Sequence, residues 1–482
     1  MSTRPRLAGA LLVVVALATP AAAQPTDDDA DDDLEIPAAP SDAPSDPPVT
    51  PPAADAPPPA APAEVPPPPA VSTEPPSAAA PELVATTPAP EPLEALLDRA
   101  GLELGGYVQG QYEGSLLSED QLMQGGALRN QDQFTVRRAR LTVARQWEHA
   151  GLRIELEAGT GRSGVGVRRA EAALRWPGPA ADRPWAELTA GLLDIPFGRA
   201  LEESVRDRLF VERPLSSLAL FPGEADVGVQ ASGAFRFARW YVAVQSGEVV
   251  AEMAAGRRQD PNAAKDVTVR VTAGHETARF AVIGGVSVLR GTGFHPGRDA
   301  TKDAIEWRDA NENGAIDTGE LVPVPGTAAV PSENFDRWAV GADLALGLRT
   351  GLGWTRLEVE VTVASNLDRG LFVADPVAAG GDLRHLGLTT AVIQDLGRRP
   401  FVGFRFDRYD PDLDFLDDRR GMLIPTDASI TTLSPLVGVR LPWRARVTAQ
   451  YDAIFDTLTR DDRGVPTDLR NDRWTARLQV EL

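Results

Sequence analysis

From Gly101 to the end of the chain, apolar and polar residues alternate in short runs of roughly 8 to 14 residues. In the last run Trp474, Ala476, Leu478, Val480 and Leu482 share one face, and Thr475, Arg477, Gln479 and Glu481 share the other. Leu152, Ile154, Leu156 and Ala158 alternate in the same way with Arg153, Glu155 and Glu157, as do Leu357, Val359, Val361 and Val363 with Glu358, Glu360 and Thr362. A two-residue period predicts strands. Sixteen are expected: 102–113, 132–146, 150–160, 167–177, 184–195, 226–237, 239–246, 266–275, 278–290, 335–348, 351–364, 383–394, 399–408, 430–441, 444–457 and 471–482. Short turns, among them Ala238, Thr350 and Pro442-Trp443, alternate with longer connections at 114–131, 161–166, 196–225, 247–265, 291–334, 365–382, 409–429 and 458–470. A soluble sandwich shares the two-residue period. Strand length, the short-long asymmetry and an export signal together favour an all-β, transmembrane antiparallel barrel of about sixteen strands. A barrel of that size encloses an aqueous lumen rather than a packed core.

The N-terminal residues have a different texture. Arg4 and Arg6, the apolar stretch Leu7 to Ala18 and the small residues Ala21-Ala22-Ala23 read as a signal peptide over 1–23, which is too short to span a bilayer as a helix. Residues 24–92 form an acidic Pro/Ala-rich tract that cannot bury enough apolar surface to order itself. It is expected to be a disordered periplasmic linker, either a tether with cell-wall contact or a solvated tail. A short helical or linker segment, 93–101, leads into the barrel domain, 102–482. The chain has no cysteine, so no disulfide framework holds it, and its four histidines lack metal-ligand spacing. Residues 24–100 carry sixteen Asp or Glu against Arg99 alone, which leaves 101–482 at −8 out of the formal total of −21. Nearly all basic residues of the barrel are Arg. That excess suits oxyanion binding, and it equally suits a GC-rich genome.

Particular residues carry a family resemblance. Phe134-Thr-Val-Arg-Arg-Ala-Arg-Leu141 followed by Leu152-Arg-Ile-Glu-Leu-Glu157 resembles the phosphate-selective porin O and P family. So do Gly191-Leu-Leu-Asp-Ile-Pro-Phe-Gly198, Phe210-Val-Glu-Arg213, Asp226-Val-Gly-Val-Gln230 and Phe404-Arg-Phe-Asp-Arg-Tyr-Asp-Pro-Asp412, in that order. The resemblance covers roughly 102–482 and not the linker. It implies a homotrimer of 16-stranded porins, with the 196–225 loop folded inward as a constriction. Two departures stand out. Leu192 and Asp194 occupy positions where the family often has Gln and Lys, which weakens the case for phosphate selectivity. The chain ends on Leu482 where barrels usually end on Phe or Trp, which weakens the signal read by the barrel assembly machinery.

The expected pore-lining residues are Arg138, Arg140, Arg153, Arg169 and Arg175, interleaved with Glu155, Glu157 and Glu171. An Arg ladder would favour anions. A salt-bridged wall neutral to solutes fits the net charge better. The expected constriction mixes Arg199, Arg206, Arg208 and Arg213 with Glu202, Glu203, Asp207 and Glu212. In the fifth long loop, Asp309, Asn311, Asn313, Asp317 and Glu320 with the Ala315 carbonyl match a twelve-residue Ca²⁺ loop, Gly314 standing at its turn. A second acidic cluster, Asp407, Asp410, Asp412, Asp414, Asp417 and Asp418, lacks that spacing and is expected to be solvated. The expected role is passive diffusion of small ions and solutes, with anions such as phosphate as candidates, through a channel set in the lipid of the bacterial outer membrane. The alternative is a barrel-anchored structural or adhesive surface protein. An enzyme is not expected, because only His385 lies near the outer end of a strand and no nucleophile accompanies it. No nucleic-acid partner is expected.

Overall fold

The computed structural model describes residue 97 and residues 99–482, apart from 121–128, 161–163, 179–182, 249–259 and 420. The signal peptide, the Pro/Ala-rich tract and most of 93–101 lie outside the described residues. The barrel strands are β1 (Glu103–Ser115), β2 (Gln133–Gln146), β3 (Ala150–Ala158), β4 (Gly166–Trp176), β5 (Ala186–Asp194), β6 (Ala225–Phe235), β7 (Ala238–Gln245) and β8 (Asp266–Glu276). They continue as β9 (Phe280–His295), β10 (Glu333–Arg349), β11 (Trp354–Ser365), β12 (Arg384–Asp395), β13 (Pro400–Asp410), β14 (Ile430–Leu441), β15 (Ala445–Phe455) and β16 (Arg473–Glu481). Each pairs antiparallel with its neighbours in chain order, and β16 closes on β1, with Tyr107 opposite Glu481 and Ser115 opposite Arg473. Closure leaves no unpaired edge.

Side chains alternate across the wall as the two-residue period requires. On β16, Thr475, Arg477 and Gln479 are buried in the lumen, while Trp474, Leu478 and Val480 are exposed outward. The outer face is aliphatic at mid-strand, with residues such as Val242, Val269, Val286, Val340 and Val361. Exposed aromatics gather at the two ends: Trp147, Trp185, Phe237 and Trp443 by the short turns, Phe134, Tyr451, Phe455 and Trp474 by the long loops. An aliphatic belt between aromatic girdles is what a bilayer demands of a barrel.

Most strands begin or end within a few residues of the expected bounds, and at three connections the difference changes the turn or the pairing. Ala238 does not turn: it pairs with Phe235, and Arg236-Phe237 make the bend, with Arg236 at a φ of 54°. Thr350 does not turn alone, because the bend runs through Gly353 and leaves Arg349 opposite Trp354. β9 and β10 reach beyond 290 and 335, with Glu333 opposite His295. Gly291 and Gly293, inside the expected loop, belong to the sheet. A Cβ at Gly291 would collide with the Asp266 carboxylate and one at Gly293 with the Phe335 ring, so small residues let neighbouring side chains lie across the strand.

Candidate functional site

The connection between β5 and β6 enters the barrel instead of covering it. It forms two short helices, α1 (Gly198–Glu202) and α2 (Leu215–Leu220). Ile195, Phe197, Leu201, Leu220 and Phe221 pack with Leu289, Ala339, Ala364 and Tyr409 of the wall, and Phe197 sits over Gly341 at a position where a Cβ would touch its ring. Polar groups fix the rest of its course. Glu360 of β11 accepts from the backbone N–H groups of Arg199 (3.0 Å) and Ala200 (2.9 Å), capping α1, and Ser287 accepts from Gly198 N–H at 3.0 Å. On the far side Arg446 donates to the Arg208 carbonyl at 2.7 Å, Arg477 to that of Val211 at 2.7 Å and Arg405 to that of Glu212 at 2.7 Å.

Two β-bulges supply the strongest anchors. The tetrapeptide Val-Arg-Arg-Ala occurs twice, at 136–139 on β2 and 167–170 on β4. In each copy the register slips: Gln109 faces Arg138 while Gly110 faces Val136, and Glu155 faces Arg169 while Leu156 faces Val167. The extra residue breaks the alternation, so both arginines of a pair reach the lumen. Arg137 and Arg138 meet Glu212 at 2.9 and 3.1 Å, with Arg477 a third donor at 3.1 Å. Arg168 meets Glu224 at 2.8 Å and Asp194 at 2.5 Å, and Arg213 approaches Glu224 at 3.0 Å. Each end of the second half of the loop is thus held by a carboxylate among guanidiniums. Breaking such a buried pair by removing one partner costs about 3–5 kcal/mol, because the remaining charge is left uncompensated.

These pairs decide what the expected pore-lining residues can do. Arg138 is spent on Glu212, and Arg140 on Glu157 and on Glu155 at 3.4 Å. Arg169 pairs with Asp194 and with Glu171 at 3.3 Å, and Arg175 with Glu187 at 2.6 Å. Arg153 is exposed to the lumen. In the loop, Arg199 pairs with Glu358, Glu202 with Arg270, and Arg208 with Glu203, while Arg213 donates to the Ser217, Phe221 and Pro222 carbonyls. Among the described residues Arg206 pairs only with its neighbour Asp207, at 3.5 Å. The wall is salt-bridged rather than a bare ladder. Arg137, Arg168 and Glu224 belong to these pairs although strand alternation does not single them out, and Arg270, which alternation on β8 does place inward, was not named among the expected lining.

Water-accessible space remains between the loop and the β1–β8 half of the wall. A chamber of about 470 Å³ is lined by five arginines (140, 153, 168, 169, 206) and six carboxylates (Glu103, Glu155, Asp194, Glu202, Glu203, Glu224). A second, of about 330 Å³, is lined by residues that include Glu171, Glu187, Gln230, Tyr241 and Arg270. Arg153, Arg169, Asp194 and Glu202 line both. The near balance of charge argues against a pore dominated by one sign.

In the fifth long connection, a two-stranded ribbon, Ala304–Trp307 with Leu321–Val324, brackets residues 309–320. Asp309 accepts from Gly314 N–H at 2.7 Å, and the Asn311 and Asn313 amides donate to Asp317 at 2.8 and 2.7 Å. Those amides hold the Asp317 carboxyl below its usual range. Glu320 turns to Asp317 N–H (3.0 Å) and the Trp307 indole (3.1 Å), which hold its carboxyl low as well. Among the described residues no three His, Asp or Glu side chains gather as a ready metal site. The second acidic cluster is not one solvated patch. Asp407 is buried in the lumen, accepting from Leu215 N–H and Thr389, and Asp417 holds Arg460 and Arg419 together at 2.5 and 2.8 Å. His385 is buried with both ring nitrogens engaged, by Pro411 O and by Leu367 N–H, as a structural tie.

The sequence matches no protein-family model and no curated protein. Among solved structures it is similar to OprB of Pseudomonas putida (high-pH structure), with a TM-score of 0.52 at 9% identity over 80% of this chain and 96% of that one. The outer-membrane channel DcaP of Acinetobacter baumannii aligns with a TM-score of 0.49 at 10% identity, over 80% and 98% of the two chains. An anion-selective porin from Comamonas acidovorans gives 0.47 at 10%, over 79% and 99%. At such identity the likeness concerns the fold alone: the chain is a closed antiparallel barrel of sixteen strands, and that fold is similar to the fold of OprB.

Proposed function

We propose that this protein is an outer-membrane porin, a water-filled channel for passive diffusion of small ions and solutes, with the 196–225 loop as its constriction. The observation that carries this reading is the pair of charged chambers sharing residues inside a closed barrel with an apolar outer belt. Detergent-purified protein added to planar bilayers should give stepwise conductance. Silence there would favour a barrel-anchored adhesive or structural role. The arrangement of paired charges supports weak selectivity without phosphate preference, so reversal potentials in a salt gradient should stay small. A strongly anion-selective value, with chloride current blocked by low phosphate, would refute that part.

Export through a cleaved 1–23 signal, insertion by the barrel assembly machinery, a periplasmic 24–92 linker and assembly as a homotrimer complete the reading. The chain has no cysteine of its own, so topology is directly testable. Asn313→Cys should be labelled on intact cells and Glu276→Cys should not. Labelling of both, or the reverse pattern, sinks the orientation.

We also propose that residues 309–320 take Ca²⁺ through Asp309, Asn311, Asn313, Asp317, Glu320 and the Ala315 carbonyl. The Asp309–Gly314 bond already folds the loop on itself. Rotation of the two amides and of Glu320 brings their oxygens inward, and amide orientation is an inexpensive change in an exposed loop. Chelator should speed proteolysis at 300–330 while leaving the barrel's heat resistance unchanged, and Glu320→Gln should weaken calcium uptake. Equal cleavage with calcium and with chelator, with no calorimetric uptake, would leave only an acidic turn.

A further inference from the structure

We infer that the short-turn rim of the barrel binds the anionic head groups of the phospholipid leaflet around it, through Arg145, Arg236, Arg279, Arg398 and Arg399. This goes beyond the channel reading and rests on the part of it that places the outer belt in a bilayer. All five side chains are exposed, at the end of the barrel marked by Trp147, Trp185, Phe237 and Trp443. Arg145 lies on the outer face of β2, opposite Leu152 of β3, with its guanidinium 4.8 Å from the centre of the Trp147 ring. Arg236, in the β6–β7 bend, lies 5.2 Å from the centre of the Phe235 ring. Arg279 stands in the β8–β9 turn, and Arg398 and Arg399 in the β12–β13 turn. An arginine laid on an interfacial aromatic ring keeps its stem against apolar surface and its charged head at the depth of the lipid phosphates.

The two rims differ in how such charges are met. At the long-loop end, the outward-facing Arg290, Arg384 and Arg408 each have an aspartate: Asp336 at 3.4 Å, Asp414, and Asp427 at 2.8 Å. At the short-turn end, none of the five arginines has a carboxylate within 4 Å among the described residues. The acids at that end are turned elsewhere. By the alternation of their strands Glu103, Glu276, Asp395 and Glu481 face the lumen, Asp395 against Arg440 at 2.9 Å, and Glu148 lies beside His149 at 3.7 Å. A leaflet with net negative head groups supplies the missing anions, since a guanidinium grips phosphate through two N–H groups of its fork. The distribution of the arginines favours a leaflet over a soluble partner. The end of β2 and the β6–β7, β8–β9 and β12–β13 turns lie on different arcs of a barrel closed in chain order. Lipid surrounds the barrel and meets all of them at once, whereas an acidic protein would meet one arc.

Full-length protein refolded into vesicles tests this, with brominated phosphatidylglycerol and brominated phosphatidylcholine compared as quenchers of tryptophan fluorescence. Trp147, Trp185 and Trp443 stand at this rim and report the lipid beside it. The anionic lipid should be enriched over the neutral one about threefold or more in dilute buffer, and the enrichment should fade in about 1 M NaCl. Arg145→Gln, Arg236→Gln, Arg279→Gln, Arg398→Gln and Arg399→Gln combined should abolish it, and the corresponding Arg→Lys set should retain it. Arg349→Gln is the control and should leave it unchanged, since Arg349 ends β10 at the same rim but on the lumen face by alternation. Equal quenching by the two lipids, or an enrichment that survives the Gln set or falls equally with Arg349→Gln, overturns the assignment while the barrel stays in its bilayer. Equal quenching, with polyglutamate held on the vesicles by the same five arginines, gives the rim to an acidic protein instead. Quenching by neither lipid overturns the bilayer reading and this assignment together.

Discussion

Glu212→Gln should release the inward-folded 196–225 loop. The wild-type carboxylate is met by Arg137 at 2.9 Å, Arg138 at 3.1 Å and Arg477 at 3.1 Å, and the side chains of Arg138 and Arg477 are almost wholly buried. The amide keeps the shape of the side chain but removes its charge and offers two N–H groups to a site made of donors. Three guanidiniums then repel one another with nothing between them. The loss should be about 3–5 kcal/mol, the cost of orphaning a buried ionic group. The hydrogen-bonded wall is independent of this contact, so the loss should fall on the loop and not on barrel closure. Single-channel conductance should rise and become noisier, and protease added from the lumen should cut near 204–214. If conductance and protection both match wild type, the cluster is not what holds the loop. Glu224→Gln, which takes this carboxylate from Arg213 and leaves Arg168 to Asp194 and Glu155, should act in the same direction on the other end of the segment.

The strands were legible because lipid and water impose the same two-residue period on every one of them. Trp474 to Leu482 states it outright, and β8 repeats it with Val267, Val269 and Val271 exposed and Thr268, Arg270 and Thr272 buried. What the period cannot state is where it is interrupted. Counting by twos from Leu141 and Val143 sends Arg137 toward lipid, where a charge costs about 2–4 kcal/mol at the midplane. That penalty was itself the available signal. Adjacent arginines in a lipid-facing strand demand a bulge, and Val-Arg-Arg-Ala repeats the demand at 167–170. The loop's own charges were legible as a mixed set, but their partners were not, because they lie on strands far apart in the chain. Glu212 is 265 residues from Arg477, and Leu215 is 192 from Asp407. Such pairings depend on the path of the loop through the lumen, which no local pattern encodes. Asp407 looked like one more surface acid for that reason, and Glu360 like an ordinary lumen-facing residue until α1 was set on it.

Val286→Arg should be the most damaging single substitution on the outer face. Val286 is 55% exposed on β9, opposite Val271 of β8 and Ala342 of β10. It lies midway between Phe280 at the short-turn end and Trp338, which faces Arg290 toward the long loops. In a barrel surrounded by water, an arginine at so exposed a site would change stability by about 0.5 kcal/mol or less. In a bilayer the same side chain must carry its guanidinium into the hydrocarbon or drag water in with it, at about 2–4 kcal/mol. Depth separates the two cases further. Trp443→Arg, in the turn between β14 and β15 where Trp443 is 77% exposed, should cost only about 0–1 kcal/mol as an interfacial position. Urea titrations of the protein refolded into phospholipid vesicles measure both losses. A large loss at Val286 with a small one at Trp443 maps the membrane onto the aliphatic belt. Equal, small losses at the two sites would mean that the belt meets water, and the channel reading would fall with it.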